Sequence, residues 1–173
     1  MNEVLNCLET RRSVRKYLPK QIADAELNAI LEACIYAPTA MGRQSPKIVV
    51  LQKPEDVAEL ERMNAAVLGN PDSHPFYGAP TVLVVLADAK AGTAVEDGSL
   101  VLGNLMNAAH ALGVGSCWIH RAREEFASGE GKALLKRWGI EGDWVGVGHC
   151  ILGYAAEPAA PAKPRKADYI VRV

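Results

Sequence analysis

The chain has 173 residues, 49% of them hydrophobic and 23% charged, which suits one compact domain with a single core. Nineteen basic against twenty acidic side chains leave a formal net charge of −1. This balance excludes a global field that would draw the protein onto nucleic acid or anionic lipid, and the hydrophobic content excludes a disordered chain.

The opening segment, Asn2 to Arg11, predicts a helix through Val4, Leu5 and Leu8. Its acids precede its bases and no long apolar run follows, so it is not read as a secretory signal. Residues 24–37 place Leu27, Ile30, Leu31, Cys34 and Ile35 on one helical stripe, with Asp24 as the expected cap and Pro38 as the stop. A strand is expected at Lys47 to Leu51. A helix then opens at Pro54 and carries Val57, Leu60, Met63 and Val67.

Thr81 to Ala87 reads as a strand without alternation, expected to be covered on both faces by helices. From Val95 to Leu112 apolar positions surround most of the circumference, which predicts a central, largely buried helix. Val114 to Ile119 and Val145 to Tyr154 are further strands, separated by a short helix at Lys132 to Trp138 with Gly139 as its C-terminal cap. The tail from Ala155 carries three prolines before Lys166 and predicts an extended arm, residues 155–173, ending in an edge strand at Tyr169 to Val173. No repeat and no domain boundary divides residues 1–173. The longest apolar run, Pro80 to Ala87, falls far short of the roughly 18 residues that cross a bilayer. A cytoplasmic, single-domain protein is expected, with four scattered cysteines packed as small core residues.

Five bases and no acid lie between Arg11 and Lys20. Such a cluster is a solvated helix end or an anion cradle, in which guanidinium forks and the Ser13 hydroxyl hold a phosphate. Lys163 and Arg165, two apart on a proline-stiffened backbone, point to one side and offer a second cationic patch. The phosphate loops are missing: there is no G-x-x-x-x-G-K-[ST], and Gly113-Val114-Gly115-Ser116-Cys117-Trp118 lacks the last glycine of G-x-G-x-x-G. A bound phosphate would therefore be held by side chains. No Ser-His-Asp arrangement is defensible, and the four histidines lack metal-binding spacing.

Four blocks in order resemble the FMN-dependent nitroreductase family. They are Thr10 to Tyr17, Ala37 to Gln44, Leu112 to Ile119, and Leu152-Gly153-Tyr154 leading into Lys163-Pro164-Arg165. The resemblance implies an α+β fold with a mixed or antiparallel sheet wrapped by helices, in an intertwined homodimer with FMN at the interface. It implies that Arg11, Arg12 and Ser13 hold the ribityl phosphate and ring, and that Lys163 and Arg165 complete the phosphate clamp. Arg15 would lie beside the pyrimidine edge, where it would stabilise the reduced flavin's negative charge. Pro38, Thr39, Ala40 and Gly42 would form a loop laid against the partner's flavin, and Ile119, His120 and Arg121 would bring backbone near flavin N5.

The implied activity is hydride transfer from NAD(P)H through the flavin to a nitro, quinone or similar small acceptor, in a ping-pong cycle. A flavin-storage protein would carry the same clamp without turnover. Departures from the family pattern are Gly42 in place of a common asparagine, Ser45-Pro46-Lys47 in place of proline-tryptophan, and His120-Arg121 in place of Glu-Gly.

Overall fold

The structure, a computed structural model, describes residues 2–173. Helices α1 (Glu3–Thr10) and α2 (Asp24–Ile35) lead into strand β1 (Pro46–Leu51), helix α3 (Pro54–Leu68) and strand β2 (Thr81–Asp88). Helix α4 (Ala94–Ala111), strand β3 (Gly115–Ile119), the short helices α5 (Ala122–Ala127) and α6 (Gly129–Arg137), and strand β4 (Trp144–Gly153) follow. The four strands form one antiparallel sheet in the order β1-β2-β4-β3. The expected α+β architecture is therefore observed, with antiparallel pairing throughout the named strands. A lone parallel bridge joins Ser13 to Ser116 at the β3 edge.

Strand β2 shows why it lacks alternation. Leu83, Val85 and Ala87 face one apolar layer, with α2 and α4. Val82, Val84 and Leu86 face a second layer, with α3, α5 and α6. A strand roofed on both sides keeps apolar residues at every position.

Register slips between Val85 and Leu86, where Val147 is an extra residue on β4. Val147 turns toward α4 and meets Gly98, where an added Cβ would fall 2.5 Å from its Cγ2. Next to it, a Cβ on Gly146 would lie 2.1 Å from the Ala122 carbonyl, so only glycine lets α5 sit this close to the sheet.

Several expectations need correction. Asp24 does not cap α2; Ala23 precedes the helix, and Glu26 reaches back to accept from the Ala23 N–H at 2.9 Å. That helix ends at Ile35, before Pro38. Helix α4 is largely buried as expected, but Val95 and Leu100 are exposed, so its apolar surface is not covered all round. Cys34, Cys117 and Cys150 are core residues, but Cys7 is half-buried on α1. The tail does run extended, and its last residues, Tyr169 to Val173, pair with no strand and lie in solvent. An edge strand needs a partner edge, and none lies beside these residues within one chain. Helix α5 escaped notice because six residues are too few to show a period. No helix among the described residues is long and apolar enough to cross a membrane.

Candidate functional site

The N-terminal basic segment is woven into the sheet. The Val14 N–H donates to the Ser116 carbonyl at 2.9 Å, and the Leu18 N–H to the Tyr154 carbonyl at 2.9 Å. The root of the arm returns alongside: Tyr17 bridges Ala155, and the Ala156 N–H donates to the Lys16 carbonyl at 2.9 Å. Lys16 pairs with Glu157 at 2.8 Å, both exposed. Ser13, Arg15, Lys16, Glu157 and Pro158 line a cleft of about 170 Å³ between the two ends of the chain.

Arg11 closes helix α1, where its N–H donates to the Cys7 carbonyl. Its Nη1 is buried and has no partner among the described residues. Leaving a charged donor unpaired out of water costs on the order of several kcal/mol, so the position suits an anion. Its charge and that of Arg12 are felt at His110. His110, 2.8 Å from the Thr10 hydroxyl, has its pKa lowered by burial first and then by the charges of Arg11 and Arg12. Arg12 is turned away, its Nη1 donating to the carbonyls of Glu9 and Arg11. Arg15 is exposed, as are Lys163 and Arg165 in the arm, and none of the three has a hydrogen-bond or ion-pair partner among the described residues. The structure thus brings Ser13 and Arg15 to the arm's root. No hydrogen bond and no shared cleft among the described residues joins Arg11 to Lys163 or Arg165.

The loop from Pro38 to Ser45 contains a single 3-10 turn, Ala40–Gly42, and three residues with positive φ: Met41 at 56°, Gly42 at 65° and Gln44 at 52°. Such a loop persists only where its surroundings over-determine it. Asp97, 3% exposed on α4, does so. Its Oδ1 accepts from the Ala40 N–H at 3.0 Å, and its Oδ2 from the Ser45 hydroxyl at 2.7 Å and the Thr93 hydroxyl at 3.3 Å. The Ser45 hydroxyl, aided by the Ala40 N–H, Thr93 and Arg43, holds the Asp97 carboxyl below the usual range against its burial. The Thr39 hydroxyl accepts from the Gln44 N–H at 2.9 Å and closes the loop. Pro38 and Gly42 are exposed on its outer side, while Thr39 and Ala40 are half-buried.

The turn after β3 is held differently. Ile119 is buried, His120 exposed, and Arg121 adopts φ 84°, a left-handed conformation that costs a side-chain-bearing residue roughly 1 kcal/mol or more. Asn64, fully buried on α3, locks it. Its amide donates to the His120 carbonyl at 2.9 Å, and its oxygen accepts from Arg121 Nε at 2.9 Å. Behind this turn, Glu125 on α5 hydrogen-bonds His149 on β4 inside the core, beside Phe76 and Phe126.

Sequence reasoning missed Asp97, Asn64 and the Glu125–His149 pair. A signal existed for the first two: Asp97 lies four residues before Val101, and Asn64 four after Leu60, each a polar residue on a buried helical stripe. A cavity of about 800 Å³ opens between α5, α6 and residues 139–144, and no predicted site residue lines it.

The model of the Nitroreductase family matches residues 8–76 and 70–154. The chain belongs to the nitroreductase family. A relative from Archaeoglobus fulgidus, provisionally named NADH dehydrogenase/NAD(P)H nitroreductase, is 33% identical over 160 residues, covering 89% of this chain and 86% of the relative. FMN reductase [NAD(P)H] of Bacillus subtilis is 26% identical over 148 residues, which cover 71% of this chain. The chain spans 56% of that reductase and 60% of a Methanothermobacter thermautotrophicus relative that bears the same name as the Archaeoglobus protein.

Among solved structures, a Bacteroides fragilis nitroreductase with bound FMN superposes with a TM-score of 0.91 and 34% identity over the whole of both chains. A Desulfitobacterium hafniense nitroreductase with bound FMN gives 0.89 and 30%, covering 100% of this chain and 99% of its own.

Proposed function

We propose that this nitroreductase-family protein is an FMN-dependent NAD(P)H oxidoreductase acting on a nitro, quinone or similar small acceptor. The observation that carries the reading is Arg11, a guanidinium with a buried, unpartnered nitrogen. The FMN bound by the Bacteroides fragilis and Desulfitobacterium hafniense relatives supports the same cofactor here. FMN held by this chain would supply the two-electron chemistry: hydride and a proton pass from NAD(P)H and solvent to the acceptor, in two half-reactions.

The chain's own residues bind and position. Arg11 and Ser13 hold the phosphate, and Lys163 and Arg165 close over it from the arm of a second copy. Arg12 joins them by releasing the carbonyls of Glu9 and Arg11. Arg15 sets its charge against the negative charge of the reduced ring. The Asp97-locked loop, through Pro38, Thr39, Ala40 and Gly42, gives one wall, and the backbone of Ile119, His120 and Arg121 another.

Two copies complete the site. Helix α1 buries none of its residues, yet Val4, Leu5 and Leu8 are 66%, 53% and 52% exposed. Tyr169, Ile170 and Val171 of the arm are barer still. A second copy of the chain would cover both apolar surfaces. Four free cysteines and a nicotinamide donor fit a cytoplasmic setting.

The test is direct. The purified protein should be yellow, hold one FMN per chain, and consume NAD(P)H steadily when a quinone or nitroaromatic is added. Arg11→Ala should weaken FMN binding by at least about tenfold, the size of a charged hydrogen bond. A protein with no affinity for FMN would overturn the reading. FMN binding without NAD(P)H consumption would make it a flavin-storage protein instead.

A further inference from the structure

The turn after β3 sets an arginine in a backbone conformation that glycine adopts without strain. Asn64 then fixes that arginine's side chain. With Nε donated to the Asn64 oxygen, the planar guanidinium keeps a single orientation, and its two Nη groups have no partner among the described residues. No carboxylate among the described residues lies within ion-pair distance of Arg121; the nearby Glu125 turns inward to His149. The side chain is thus held by a fully buried amide, on a strained turn, with its outer fork open to solvent and free to take a ligand. The two Nη groups form an end-on fork that matches the two oxygens of a planar carboxylate.

We infer that Arg121 selects the acceptor: it grips a carboxylate on the small molecule that enters beside the turn, so the protein prefers carboxylate-bearing aromatic acceptors to neutral ones. This rests on the reading above, in which Ile119–Arg121 border the FMN. Asn64 is the positioning residue, and it aims the fork without touching the substrate.

The test compares kcat/KM for 4-nitrobenzoate and for neutral 4-nitrobenzamide in the FMN-loaded protein, in Arg121→Gly and in Arg121→Gln. Glycine suits the left-handed backbone, and glutamine keeps a polar side chain without the charge. The expected result is a carboxylate-to-amide ratio at least about tenfold lower in both variants, carried mainly by KM for the carboxylate.

A second readout needs no turnover. Benzoate titrated into the oxidised protein perturbs flavin absorption, and its Kd should rise by a similar factor in both variants. A ratio that stays within about twofold overturns the inference, since one lost charged hydrogen bond exceeds that. So does a loss confined to NADPH and absent with NADH, which would assign the fork to the donor's phosphate. A protein that takes up no FMN and reduces neither compound defeats the flavin reading and this inference with it. Reduction of both compounds with an unmoved ratio defeats this inference alone.

Discussion

The Thr39–Ser45 loop and the His120–Arg121 turn both hold non-glycine residues at positive φ, yet they are locked by different chemistry. The loop is gathered around a carboxylate: Asp97 accepts hydrogen bonds from Ala40 and Ser45 of the loop and from Thr93 at the head of α4. The turn hangs on a neutral amide, Asn64, which donates once and accepts once. An ion collects several donors and strengthens each bond, but its hold depends on staying charged. An amide is limited to matched partners and does not titrate across the physiological range. The loop therefore has the stronger lock and the pH-sensitive one. The turn keeps an arginine aimed whatever the pH.

The sharpest way to break this comparison is to delete the stronger lock. Asp97→Ala orphans the Ala40 N–H and frees Ser45 and Thr93, and should cost roughly 3 kcal/mol. For a domain of this length that is a fall in Tm of about 6–12 °C in a thermal melt. Proteolysis within Met41–Gln44 should accelerate as well. An unchanged Tm would show that the loop is held by something other than the carboxylate. Deleting the weaker lock should cost less. Asn64→Ala leaves the His120 carbonyl and Arg121 Nε without partners, but it also lets Arg121 relax from its left-handed conformation, for a net loss of roughly 2 kcal/mol. Amide exchange should quicken at Glu125, whose N–H donates to the Arg121 carbonyl, and not at Ala40. Equal effects at both sites would erase the distinction.

How far these features were legible in the sequence follows from the range over which each is determined. Strand β2 declared its burial on both faces because Val82 to Leu86 leave no polar position, and that is a local property. The basic segment at Arg11 to Lys16 was visible for the same reason. The locks were not, because Asp97 meets Ala40 and Ser45, and Asn64 meets His120 and Arg121, across more than fifty residues. Only the fold makes those pairs neighbours. What the sequence held was the anomaly at one end, a polar residue on an apolar stripe. The left-handed turn at Arg121 carried no such mark, since arginine is not a residue that announces positive φ.

The finest test separates charge from shape at the stronger lock. Asp97→Asn keeps the volume and one oxygen, so at pH 7 it should cost only about 1 kcal/mol. The difference should then shrink with acid, and its direction is fixed by linkage. The folded Asp97 carboxyl titrates below its ordinary value near 3.8, first because the Ser45 hydroxyl donates to the ionised form. A group whose pKa is lowered by folding contributes its stability above the unfolded value, and loses it as pH falls through the folded one. Wild type and variant should therefore differ by a constant amount above roughly pH 5 and converge below pH 4 in urea titrations. Glu26, held low by the Tyr154 hydroxyl and the Ala23 N–H, produces the same kind of acid loss in both proteins and so cancels from the difference. A gap of equal size at pH 7 and pH 3 would mean that the loop reads the shape of residue 97 and not its charge. The contrast with the uncharged lock at Asn64 would then disappear.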